Sequence, residues 1–128
     1  MNTNSEEKNL LYLQIIGSIT FIITISVSII LTINNINKIE YKKAIFNQKD
    51  ENDISLTNRL VITTVAVLFT YISYKFYEKN KSSKNQDISQ KELIASVLAL
   101  ISALILLSTT IENIKRKSQN ADINIPII

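Results

Sequence analysis

LLYLQIIGSITFIITISVSIILTI, residues 10–33, runs for 24 positions without a charged side chain. At 1.5 Å per residue a helix of that length reaches about 36 Å, more than the roughly 30 Å of a bilayer's hydrocarbon core. It can therefore span with some tilt. A cleaved secretory signal is the competing reading. Against it, the preceding MNTNSEEKN is acidic where a signal is basic, the apolar run is too long, and no small-x-small site precedes the next charges. The stretch reads as a retained transmembrane helix.

Working outward, residues 93–111 repeat the pattern in LIASVLALISALILLSTTI, again charge-free and of spanning length. Ser89 and Glu92 have capping-box spacing ahead of it, with Ile88 and Leu93 placed as a staple, and Lys115, Arg116 and Lys117 mark its end. Between the two, residues 60–74 are uncharged but too short. They reach spanning length only by running to Tyr77 past Lys75, whose ammonium can snorkel to the headgroups. Tyr71, Tyr74, Phe76 and Tyr77 gather at that end as an interfacial aromatic belt, and Asp53 or Ser55 offers an N-cap at the other.

The expected fold is all-α: an integral membrane protein with three transmembrane helices in a small bundle. The alternative is two spans plus one interfacial helix. Its divisions are a polar tail (1–9), a first span (10–33), a basic and polar connector, helical to about Phe46 and turn-like at NQKDEND (34–59), a second span (60–77), a polar loop (78–92), a third span (93–111) and a basic, then apolar tail (112–128).

Composition removes most chemistries. The 128 residues include no Cys and no His, so disulfides, thiolate nucleophiles, imidazole bases and Cys/His zinc sites are excluded. One Gly leaves no phosphate-cradling loop. No Asp, Glu or Arg sits well inside a span, as proton relays and ion-coupled transport require. The carboxylates of Asp50 and Glu51 lie in a charge run that reads as solvated. No catalytic, cofactor or metal site is expected, and the chain reads as a non-enzyme. Its preference for Ile, Asn and Lys suggests an AT-rich, bacterial genome.

Basic residues near span ends set orientation. Lys8 stands alone before the first span, whereas Lys38, Lys42, Lys43, Lys49 and Arg59 follow it. This contrast puts the N-terminus outside and the C-terminus in the cytoplasm of a cell membrane. Eight basic residues then fall inside (five after the first span, three after the third) and six outside (Lys8 and five after the second).

Lipid gives helices no hydrophobic reason to pair, so small and hydroxyl residues mark where backbones approach. Such stripes are Gly17, Thr20, Thr24 and Ser28; Thr63, Ala66, Thr70 and Ser73; and Ala95, Ala99 and Ala103, the last flanked by Ser96 and Ser102. They either face one another in a compact bundle, face a second copy or another membrane protein, or line a water pore. The partners implied are the lipid bilayer and a homo-oligomer or membrane protein; there is no room for a basic nucleic-acid-binding module.

In length, helix number and basic ends the chain is similar in outline to phage holins and to small immunity proteins against bacteriocins. That likeness is architectural and carries no functional residue with it. Two functions remain. One is a non-enzymatic protein acting through helix–helix contacts, as an accessory subunit, assembly factor or immunity-type protein. The other is an oligomeric, holin-like permeabiliser. Both require insertion without processing. After carbonate extraction, an unprocessed chain should be found in the membrane pellet by intact mass; a soluble or N-terminally trimmed product would contradict this reading.

Overall fold

The computed structural model describes residues 3–119, which form three helices: α1 (Thr3–Glu40), α2 (Gln48–Lys79) and α3 (Gln86–Gln119). Each is long and apolar enough to cross a membrane, α2 being the least apolar. The INIPII end of the 112–128 segment lies outside the described residues.

The helices outrun the apolar stretches that predict them. α1 begins within the polar tail and continues seven residues beyond Ile33, to Glu40. The segment NQKDEND does not turn. Asn47 is the N-cap of α2, and its side-chain oxygen accepts from the Asp50 N–H at 2.8 Å, in place of the expected Asp53 or Ser55. The turn lies earlier because buried Asn34 fixes it: its Oδ1 accepts from the N–H groups of Ile45 (2.7 Å) and Phe46 (3.1 Å). Likewise α3 starts at Gln86, a turn before the expected capping box. The Ser89 hydroxyl instead accepts from Asn80 Nδ2 at 2.6 Å, tying the start of α3 to the end of α2.

α2 is the centre of a row, antiparallel to both neighbours. Its contacts fall at one end on Lys79 with Glu7 and at the other on Lys38 with Glu51. The buried positions follow a seven-residue repeat. In the repeat are Leu10, Gly17, Thr24 and Leu31 on α1, then Glu51, Asn58, Val65 and Ile72 on α2; Asn34, Asn35 and Ser55 are buried outside it. On α3 they are Ser89, Ala103, Thr110 and Lys117, with half-buried Ser96 completing the series. Seven is the period at which a helix keeps one seam turned to a partner along its length. Away from the seams, Ile15, Ile16, Ile19, Ile22 and Ile23 are all more than half exposed. An apolar surface of this extent suits lipid rather than water.

At Gly17 α1 lies directly against α2. A Cβ placed there would stand 3.0 Å from Phe69 Cζ and 3.3 Å from Leu68 Cδ2, so the glycine is what admits the Phe69 ring. Gly17→Leu should overpack this contact and cost about 1–3 kcal/mol in detergent unfolding, with partial recovery in Gly17→Leu/Phe69→Ala. Additive losses in the two variants would show that Gly17 and Phe69 do not constrain each other.

Candidate functional site

Two features of this row are candidates for function: a groove along its face and a charge cluster at one end. The groove exists because α2 carries both neighbours while α1 and α3 stay apart. Among the described residues no α1–α3 backbone pair comes within 8 Å. The space between them has a volume of about 960 Å³ and opens to the side. Its floor includes Val65, Ala66, Phe69 and Ile72 of α2, and Ala95, Ala99 and Ala103 lie in the α3 wall.

Polar cross-links set the depth of each wall. Asn58, buried on the α2 seam, donates through Nδ2 to the Thr24 carbonyl (3.2 Å) and to Ser28 Oγ (3.1 Å), which holds α1. On the other side the Thr70 hydroxyl donates to the carbonyls of Ala66 (2.8 Å) and Ser96 (3.2 Å), while Ser73 and Ser96 share a hydrogen bond at 2.7 Å. Unsatisfied polar groups are expensive in hydrocarbon, so these links fix register as well as proximity.

The small-residue stripes are thus divided. Gly17 and Thr24 lie against α2, and Thr70 and Ser73 meet α3. Thr20 and Thr63 donate to carbonyls of their own helices, those of Ile16 and Arg59, and Ala66 lies in the groove. Of the three alanines of the α3 stripe, Ala103 is buried, while Ala95 and Ala99 are exposed along the groove. No helix among the described residues covers that wall.

At the end of the row where α1 stops and α2 begins, Glu51 has no exposed surface. It is paired with Lys38, and Lys117, itself buried, interacts electrostatically with both. Glu51 Oε1 and Lys117 Nζ have no hydrogen-bond partner among the described residues, nor has the buried Ser55 Oγ one turn along α2. All three ionic residues occupy seam positions, so the cluster is the last layer of the seven-residue repeat. The expectation that Asp50 and Glu51 are both solvated holds for Asp50 alone. Similarly, Lys115 and Arg116 face outward but Lys117 turns in.

Charge counting could not find Glu51, Lys117 or Asn58, but spacing could. Residues 51, 58, 65 and 72 are separated by seven, and the signal is missed only if seam residues are required to be apolar.

Comparison with protein-family models, with curated proteins and with solved structures yields no match. What the helices define is a class: a small multi-pass membrane protein in contact with the lipid bilayer.

Removing one member of a buried ionic cluster leaves its partners charged and unpaired, typically at a cost of about 3–5 kcal/mol. Glu51→Ala should therefore be strongly destabilised in detergent unfolding. Replacing Lys38, Glu51 and Lys117 together by Met should cost much less. Wild-type stability in Glu51→Ala would mean that the cluster holds nothing.

Proposed function

We propose that this chain is a non-enzymatic membrane protein that works by receiving a transmembrane helix in the groove between α1 and α3, as an accessory, assembly or immunity-type protein does. The observation that carries this reading is the uncovered α3 wall. Ala95 and, nearer mid-membrane, Ala99 offer close backbone approach, and no helix among the described residues takes it up. Dispersion and packing drive helix association in lipid, and a groove walled by small side chains gives the largest gain to an incoming helix. The favoured orientation has the N-terminus outside and the C-terminus cytoplasmic, by the margin of eight basic residues to six.

The holin-like reading needs hydroxyls turned to a water path. Several are instead engaged along their own helices: Thr20, Ser26, Thr32, Thr64 and Thr109 each donate to a backbone carbonyl four residues earlier. Their donors are satisfied without water, which favours the helix-receiving reading.

A photo-reactive phenylalanine analogue at position 99 should give a protein adduct, identified by mass spectrometry. The same probe at Leu98, which is 59% exposed and outside the groove, should give lipid adducts only. Induced expression should leave the membrane potential intact. Lipid-only adducts at both positions, or collapse of the potential on induction, would overturn the proposal.

A further inference from the structure

We infer that the end of the row where α1 stops and α2 begins holds a bound-water site, through which Lys117 of α3 is joined to Glu51 and Ser55 of α2 and to Asn34 of α1. The site stands apart from the groove and does not depend on the groove's role, since none of these four residues is among the described residues lining it. Four atoms define it: Asn34 Nδ2, Glu51 Oε1, Ser55 Oγ and Lys117 Nζ. Each is buried and has no hydrogen-bond partner among the described residues. Asn34, Glu51 and Ser55 have no exposed surface, and Lys117 is 7% exposed.

The helices bring these atoms to one place. Lys38 of α1 is paired with Glu51 of α2. Asn34 comes one turn before Lys38 and Ser55 one turn after Glu51. Because α1 and α2 are antiparallel, both stand about 5.4 Å deeper than the ion pair, at a common level. Lys117 lies within electrostatic reach of Glu51 and Lys38, yet its ammonium hydrogen bonds to neither. A polar gap wider than a direct hydrogen bond is the kind that a water bridges. The Asn34 amide is also fixed in sense. Its Oδ1 accepts from the N–H groups of Ile45 and Phe46, so the unserved end is the NH2.

The mixture of donors and acceptors selects the occupant. Asn34 Nδ2 and Lys117 Nζ can only donate, an ionised Glu51 Oε1 can only accept, and Ser55 Oγ does both. A metal cation would be set against the ammonium and the amide NH2. A chloride would be set against the carboxylate oxygen. Water donates and accepts, so it alone of the three serves every member, and buried waters typically bond to about three otherwise unsatisfied polar groups. The supply is close: Asn34 directly follows the charge-free run 10–33, which puts the site at the edge of the hydrocarbon core. There is also work for the water in the fold. The hydrogen bonds described between α2 and α3 fall at Ser89 and Ser96, in the other half of α3.

The protein carries its own control. Asn58 Nδ2 is the same kind of buried donor on the same seam, but it is answered by the Thr24 carbonyl and Ser28 Oγ. In the isotope-labelled full chain in lipid nanodiscs, the Asn34 side-chain amide and the Lys117 ε-methylene should each show a nuclear Overhauser cross-peak to water. Its sign should be that of a water tumbling with the protein, and the Asn58 amide should show none. Ser55→Ala removes one of the water's partners and should weaken the Asn34 cross-peak several-fold, with the Asn58 signals unmoved as proof of an intact fold. The wild-type comparison needs no substitution, so it decides even where Ser55→Ala unfolds. Replacing chloride by gluconate in the buffer should leave the Lys117 signals in place. No cross-peak at Asn34 or at Lys117, equal cross-peaks at Asn34 and Asn58, or indifference to Ser55→Ala in a folded chain would overturn the inference. Lys117 signals that shift with chloride, without a water cross-peak, would overturn it in favour of a bound anion.

Discussion

Everything in this molecule hangs on the α2 seam, where Glu51, Asn58, Val65 and Ile72 recur at intervals of seven. In water such a seam would be apolar, because burial would drive it together. In lipid, leaving the acyl chains for another helix gains an apolar side chain almost nothing. Cohesion has to come from close packing and from polar groups that hydrocarbon cannot satisfy. Hence the seam alternates in kind. Val65 and Ile72 pack at mid-depth, Asn58 bonds across to α1, and Glu51 closes the end with two lysines.

This explains why the least apolar helix occupies the centre. α2 carries polarity where α1 and α3 carry bulk, and Asn58, Thr70 and Ser73 are each answered by a neighbouring helix. Asn58 alone would be a burden in a lipid-facing helix; bonded to the Thr24 carbonyl and Ser28 it fixes the register of α1 on α2. Thr70 and Ser73 do the same for α3 through Ser96. A single polar residue at a seam position is known to set register in coiled helices, at some cost in stability. Here three such links share one helix and point to two sides, so the outer helices are positioned independently of each other.

The fold was legible because charge-free length is nearly sufficient evidence for a span, and residues 10–33 and 93–111 supply it without ambiguity. Helix ends were less so. Asp53, Ser55 and Ser89 all have the chemistry of caps, and choosing among caps depends on contacts distant in sequence, such as Asn34 holding Ile45 and Phe46. Glu51 was misread for a related reason. Composition around it is that of a solvated run, and only the convergence of Lys38 from α1 and Lys117 from α3 makes its burial tolerable. The small-residue stripes were visible, but a stripe gives a face and not its neighbour. Gly17 met α2, whereas Ala95 and Ala99 line the groove, exposed among the described residues.

The groove and the charge cluster are mechanically one device. α1 and α3 do not pack on each other among the described residues, and charges from both come near one another at Glu51, which is ion-paired with Lys38 and within electrostatic reach of Lys117. The Lys38–Glu51 pair ties the end of α1 to the start of α2. Higher up, Gly17 lets α1 sit deep against Phe69, and the Ser73–Ser96 pair holds α3 on the other flank. Among the described residues the walls are thus fixed to the floor at several depths and not to each other, which leaves a lateral opening. A row of three helices with a tied end and an open face is incomplete in packing terms, and in lipid incomplete packing is the main currency of association.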